Sequence, residues 1–481
     1  MARMKSLHDL VIFLNGYLWG PPMLALIFGT HIFLTWRLRF IQRYTGVAVK
    51  LSFSREKEGH GDISHFGALM TALAATIGTG NIVGVATAVA LGGPGAVLWC
   101  WLTGVFGIAT KYSEAVLAVK YRVKTSDGTM LGGPMYALAN GLKMKWLASL
   151  FCVFTAIAAF GIGNMVQANS LADLAHSTFR IPPVLSGLVM TAITAVVILG
   201  GIKSIARACG RLVPFMAIFY IGGCLLILFI NIEYILPAIA LIVRSAVSPE
   251  AFGGGMVGGG ILLAARYGIA RGLFSNEAGL GSAPIVAAAA QSRNPVRQGL
   301  VSSTGVFWDT VVVCAMTGLV LVTTLVKDPA GLQGLKGAEL TKAAFAHIPV
   351  VGPAVLTVGL LTFVFSTILG WSYYGERALE YLLGKKAIMP YRVLWVGAVF
   401  VGSVAALPFV WDLADAMNAL MALPNIVSLL LLSNVIVAET KKYLWNGALD
   451  AQVAETQHAR QFVPGKIIVR KEREEVGAVS D

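Results

Sequence analysis

Apolar residues in this chain gather into long runs and rarely alternate with polar ones. In order, the runs fall near 11–35, 65–96, 97–121, 146–171, 183–202, 209–232, 257–290, 300–326, 350–383, 389–408 and 413–439. Each is about 20 residues or more, enough for a helix to cross a bilayer core of roughly 30 Å. The pattern predicts an all-α integral membrane protein of about eleven transmembrane helices.

The connections test that reading. Arg37, Arg39, Arg43, Lys50, Arg55 and Lys57 follow the first run, and Lys120, Arg122, Lys124, Lys143 and Lys145 follow the third. Lys203, Arg207 and Arg211 come after the fifth, Arg293 and Arg297 after the seventh, and Lys385, Lys386 and Arg392 after the ninth. The tail adds Lys441, Lys442, Lys466, Arg470, Lys471 and Arg473. Alternate connections are poorer, holding Arg180, then Arg244, then no basic residue between Leu407 and Trp411; the exception carries Lys327, Lys336 and Lys342. Basic residues favour the cytoplasmic side, so the expected topology puts the N-terminus outside and the C-terminus in the cytoplasm of a multi-pass inner (plasma) membrane protein. The first run lacks an Ala-x-Ala cleavage site and reads as a retained span.

Two runs are interrupted. The second holds TIGTGNIVG, Thr76–Gly84, where three glycines, two threonines and an asparagine replace a smooth apolar surface. The seventh holds Ser275-Asn276-Glu277-Ala278-Gly279, so both interruptions place Asn-x-x-Gly in a polar, glycine-rich stretch followed by small apolar residues. Five runs lie in 65–232 and five in 257–439. An odd number of spans per unit reverses its orientation, which predicts an inverted repeat. The expected division is an extra N-terminal helix (1–36), a first five-helix repeat (65–232), a second (257–439) and a cytoplasmic tail (440–481).

A glycine inside a helix costs about 1 kcal/mol relative to alanine. Gly78 and Gly80, with Thr76, Thr79 and Asn81, therefore favour local unwinding, and the same holds for Gly272-Leu273-Phe274-Ser275-Asn276. Unwound backbone in a membrane must meet something polar. The positive end of a half-helix suits a carboxylate, and freed carbonyls with neutral side-chain oxygens suit a hard cation such as Na⁺. Small residues can instead serve tight helix packing. Two breaks at matching positions, each with an asparagine, favour a binding site near the bilayer midplane.

Composition narrows the class. Hydrophobic residues make up 57% and charged residues 13%, against roughly 25% charged in soluble domains. The net charge of +13 sits in short connections and does not form a nucleic-acid-binding stripe. The five cysteines (Cys100, Cys152, Cys209, Cys224, Cys314) lack metal spacing and read as small apolar residues. A membrane-embedded enzyme would need a nucleophile–base pair or metal cluster, yet the histidines are scattered and neither HExxH nor GxSxG occurs. A channel would need a filter-like sequence, and none is apparent.

Other spans offer polar faces. Asn164 and Gln167 lie one turn apart, with Asn169 near them; Ser366 and Thr367 precede Trp371, which shares a face with Thr367. Such groups need partners, either a ligand or another helix. Lys111, Glu114, Arg266, Arg271, Glu277, Asp309 and Glu376 place ionisable side chains within spans. Arg271 and Glu277 flank the second interruption, and pairing with each other or with a neighbouring helix is their expected role.

The stretches GTGNIVGVATAVALGGPGAVLWCWLTG, GIGNMVQAN and RGLFSNEAGLGSAP resemble those of the alanine/glycine:cation symporter family, with similarity over about residues 60–440. The resemblance implies a leucine-transporter-like fold of two inverted five-helix repeats plus one N-terminal helix. It also implies Na⁺-driven uptake of small neutral amino acids, alanine and glycine first, by a protein that is not an enzyme. Its partners would be the amino acid, sodium and membrane lipid, with no organic cofactor and no nucleic acid. Carried onto this sequence, substrate contacts would come from Thr76, Gly78, Thr79, Gly80, Gln167 and Asn276, with Phe274 and Trp371 walling the pocket. Asn81 and Ser275 would bind one cation, and Ser366 and Thr367 a second. Proton coupling is the nearest alternative: TIGTGNIVG holds no acidic residue, which favours Na⁺, whereas Glu277 leaves a proton route open.

Overall fold

The computed structural model describes residues 2–54, 59–247, 260–332, 334–335, 337–405, 408–452, 460–463 and 466–469. The start of the seventh expected span, the charged positions Arg55, Lys57 and Lys336, and half of the C-terminal tail, with Arg470, Lys471 and Arg473, lie outside the described residues.

The chain is a helical bundle. Its longer helices are α1 (Ala2–Leu18), α2 (Pro21–Arg37), α3 (Thr45–Ser52), α4 (His65–Thr76), α5 (Val85–Gly92), α6 (Ala96–Lys120), α7 (Lys145–Phe179), α8 (Pro183–Ile198) and α9 (Gly201–Ile230). They continue as α10 (Ile235–Val247), α11 (Gly260–Asn276), α12 (Pro295–Lys327), α13 (Gly337–Ala346), α14 (Val351–Leu383), α15 (Ile388–Val404), α16 (Pro408–Leu431) and α17 (Ser433–Thr440). A short sheet joins Val123–Lys124 and Met130–Leu131 to the tail strands Arg460–Val463 and Lys466–Val469.

Among the described residues, six helices are long and apolar enough to cross a membrane, or up to eight if two bent pairs each count as one span. Among the described residues, helical segments lie along the expected spans. Three fall short of that test: α6 carries Lys111 and Glu114, and α8 and α11 have 16 and 17 residues. Large apolar side chains such as Val196, Ile218, Leu236 and Leu394 are exposed on outward faces, as expected where lipid is the solvent. The interior instead gathers α4, α6, α7, α11, α12 and α14, with α6 packed along both α11 and α12, and α14 against α4, α7 and α9.

The first interruption is a true break. Helix α4 stops at Thr76, Ile77 turns extended, and a π-type turn over Gly80–Gly84 leads into α5; the two halves meet at 53°. Asn81 stabilises the break by accepting the Gly78 N–H with Oδ1 (2.9 Å). The second interruption begins within the expected Ser275–Gly279 stretch, but the expected unwinding over Gly272–Asn276 does not occur. Residues 272–276 are still helical, and the chain leaves helical geometry at Glu277 (φ 54°), Gly279 (φ 90°) and Gly281 (φ 87°) before the turn Pro284–Ala287. Gly272 has a packing role: a Cβ there would stand 2.1 Å from Thr103 Oγ1 on α6. Close helix approach explains that glycine, and left-handed backbone explains the two later ones.

Candidate binding site between the broken helices

The breaks face one another. A Cβ on Gly80 would lie 3.2 Å from the Phe274 ring and 3.3 Å from Ser275 Cα, so the chains pass almost in backbone contact. Around this crossing lies a cavity of about 20 Å³ lined by Ala75, Thr76, Gly78, Thr79, Gly80, Ile162, Gln167, Phe274, Glu277, Thr367, Trp371 and Asn418. The sequence-derived substrate positions thus converge, with one exception. Asn276 points toward α6, donating from Nδ2 to Thr103 Oγ1 (3.3 Å) while Oδ1 caps the helix end by accepting the Ala278 N–H (2.9 Å).

The cavity has a clear polarity. Gln167 donates to Ile162 O (2.9 Å) and leaves Oε1 buried without a partner among the described residues, as is Asn418 Oδ1. Two lone acceptors in a small buried space can receive an ammonium group. Glu277 closes one wall, its Oε1 accepting Trp371 Nε1–H (3.0 Å) and its Oε2 accepting the Ser282 hydroxyl. Of the two expected roles, Glu277 takes the one with a neighbouring helix, bonding to Trp371 of α14; among the described residues it makes no ion pair with Arg271, which lies 6.0 Å from the Phe274 ring centroid and lines a vestibule beside this cavity. The helical turn between them projects their side chains to different faces. Gly163 sets the position of Trp371, because a Cβ there would fall 2.3 Å from Trp371 Cβ.

Beside the cavity, Asn81 and Ser275 meet as expected, but on a third residue. Asn81 Nδ2 donates to Asp309 Oδ1 (2.7 Å) and Asp309 O (3.1 Å); Ser275 Oγ donates to Asp309 Oδ2 (3.0 Å), as does Thr310 Oγ1 (2.6 Å). Asp309 is completely buried and lies in a π-type segment of α12. Its carboxylate, with neighbouring oxygens, is a donor group suited to a hard cation. The sequence marked Asp309 only as an ionisable residue within a span. Its partnership with Asn81, 228 positions away, has no local signal.

Ser366 and Thr367 approach the first break from α14. Ser366 Oγ lies 3.1 Å from Ala74 O, and Thr367 Oγ1 lies 3.5 Å from Ile77 O. Hydroxyls beside carbonyls freed by the end of α4 form an all-oxygen donor set suited to a hard cation. Asn164 and Asn169, by contrast, bond between helices, to Trp395 O and to Gly402 O and Ala405 O.

One side of the cavity is open and the other is shut. A vestibule of about 550 Å³ shares Thr79, Gly80 and Phe274 with it and is rimmed by Asp173, Arg271, Lys342, Trp411 and Asp415. On the opposite side, Asp62 and Ile63 donate to Ala289 O (2.7 and 3.2 Å), and Gln291 donates to Ile63 O (2.7 Å). Arg122 fastens this clip, donating to Ala288 O (3.1 Å), Ala290 O (2.9 Å) and His60 O (2.8 Å). Burial raises the nearby Asp62 carboxyl above its ordinary range, opposed by the bond it accepts from Met130 N–H.

Known proteins resemble this chain in sequence and in fold. The family model described as "Sodium:alanine symporter family" matches residues 4–457. A sodium/alanine symporter, AgcS, of Methanococcus maripaludis is 54% identical over 90% of this chain and 97% of its own. A probable sodium/glutamine symporter, GlnT, of Bacillus subtilis is 36% identical over 91% of each chain. The solved structure of MhsT in complex with L-phenylalanine superposes with a TM-score of 0.53 over 83% of this chain and 94% of its own, at 16% identity, so the fold is shared. With a bundle of apolar helices around two facing breaks, this multi-pass membrane transporter belongs to the sodium:alanine symporter family.

Proposed function

We propose that the protein couples inward Na⁺ movement to uptake of small neutral amino acids, alanine and glycine first. The observation that carries this reading is the compact cavity between the breaks, with its unpaired Gln167 and Asn418 acceptors next to the Asp309–Asn81–Ser275 cluster. In this reading the ammonium group meets those acceptors, and the carboxylate meets the backbone opened at Gly78–Gly80. Phe274 and Trp371 limit the side chain, so alanine, glycine and serine fit and leucine does not. One Na⁺ is held at Asp309, Asn81 and Ser275, and a second by Ser366, Thr367 and the carbonyls of Ala74 and Ile77.

Transport follows by alternating access between two inverted five-helix repeats, 65–232 and 257–439, with the N-terminus outside. The vestibule then opens outward, and the Arg122 clip closes the cytoplasmic side. A cation entering down a potential of about 100 mV gains roughly 2.3 kcal/mol, before any concentration gradient, and this drives accumulation. Glu277, in the cavity wall, supports a second reading in which protons replace Na⁺. Alanine uptake into proteoliposomes, with Na⁺ and proton gradients imposed separately, separates the two. Uptake indifferent to the Na⁺ gradient refutes the first.

A further inference from the structure

On the closed side of the binding cavity lies a second, smaller one of about 10 Å³. Thr76 lines both. The second cavity continues along α4 past Ala72 and Ala68, toward the clip at residues 60–63, and faces Lys111 and Ala115 of α6. Lys111 is 3% exposed, and its Nζ has no hydrogen-bond partner among the described residues. An unpartnered cation at membrane depth is costly, and such residues mark ion or substrate pathways.

Three carboxylates lie within electrostatic reach of Lys111, yet each already has neutral donors. Glu114 Oε1 accepts Gly279 N–H, Gly281 N–H and Asn425 Nδ2–H, while its Oε2 is buried with no hydrogen-bond partner among the described residues. Glu277 is held by Trp371 and Ser282, and Asp309 by Asn81, Ser275 and Thr310. No salt bridge forms between Lys111 and any of them among the described residues, and the amine is left to the cavity. The surrounding acids offset the charge in sum, while no single one consumes it.

Resting on the amino-acid transport reading above, we propose that Lys111 forms a second, transient carboxylate-binding site on the inward path. The substrate carboxylate passes Thr76 and is received by the Lys111 amine before release. In the closed state this space has room for about one water, so the site works only once α4 moves away from α6. Ala68, Ala72 and Thr76 are spaced four apart on one face of α4, so small side chains line the passage that this movement widens. A carboxylate drawn to Lys111 would leave the first site without returning to the vestibule.

The test separates binding from delivery. Purified Lys111→Met protein is compared with wild type for equilibrium binding of radiolabelled alanine in saturating Na⁺, and for alanine uptake into proteoliposomes. Binding is expected to stay within about threefold of wild type while the maximal uptake rate falls roughly tenfold or more, with Lys111→Arg partly restoring it. Equal losses of binding and uptake, or wild-type uptake by Lys111→Met, overturn the proposal. If Lys111→Met does not fold, Ala115→Leu fills the same cavity and leaves the charge; it should bind alanine and transport poorly, and wild-type uptake by that variant overturns the proposal equally. A wild type that binds no alanine overturns the transport reading itself.

Discussion

Replacing Asp309 by asparagine removes one charge and almost no volume from the cluster that joins the two breaks. The carboxylate accepts Asn81 Nδ2–H at 2.7 Å, Thr310 Oγ–H at 2.6 Å and Ser275 Oγ–H at 3.0 Å. In Asp309→Asn one oxygen keeps the Asn81 bond, and the new amide meets hydroxyls that can turn and accept. The fold should therefore survive, with a loss of about 1–2 kcal/mol from weakened charge-assisted bonds. The effect on a cation is larger. A unit charge 4 Å from the carboxylate gains about 4 kcal/mol at an effective dielectric constant of 20. The three donors that now surround the carboxylate must be partly released, and if about half the attraction survives, the Na⁺ affinity rests on roughly 2 kcal/mol, or between 10- and 100-fold. The assay is the Na⁺ concentration for half-maximal alanine uptake in proteoliposomes, with thermal stability followed in detergent. An unchanged Na⁺ requirement in a folded Asp309→Asn protein would refute the placement of a cation here.

Three further outcomes follow from the same geometry. Asn81→Ala removes the acceptor of Gly78 N–H and the donor to Asp309, so Na⁺ activation should shift by at least about tenfold while expression changes little; normal activation would make Asn81 a packing residue. Gly163→Ala puts a Cβ 2.3 Å from Trp371 Cβ and should cost about 1–3 kcal/mol of stability together with a weaker alanine affinity, both readable by thermal unfolding with and without alanine. Trp371→Phe leaves Glu277 Oε1 without its donor and enlarges the cavity; alanine should bind more weakly by about 1–3 kcal/mol, while competition by larger neutral amino acids should rise, and an unchanged selectivity profile would contradict the role of Trp371 as a wall.

Much of the site was legible in the chain because its signals are local. Glycine and asparagine inside an apolar run announce a break whatever surrounds it, and Thr76, Gly78, Thr79 and Gly80 lie in the cavity for that reason. Gln167, Thr367 and Trp371 stand on polar faces of their spans, Phe274 sits in the second glycine-rich stretch, and the motif resemblance gives them roles; they too line it. Asn276 lies outside the cavity because one residue along a helix turns a side chain by about 100°, which takes it to Thr103. Gly272 looks like a helix breaker in sequence, but the helix runs through it to Asn276, because its neighbour Thr103 makes it a contact point. Asp309 and Asn418 carried no positional signal: each acquires its role from helices far away in the chain.

The sequence by itself determined the solvent and the plan. Its apolar runs demand lipid, and two interrupted helices demand a polar partner at membrane depth, because both effects act residue by residue through hydration of the backbone. Only the tertiary structure decided which polar groups meet. That Asn81 and Ser275 converge on Asp309, that Glu277 turns to Trp371, and that Lys111 has no hydrogen-bond partner among the described residues depend on how separate helices pack and rotate. A buried charge takes its meaning from the few ångströms around it, and those neighbours are chosen by the fold.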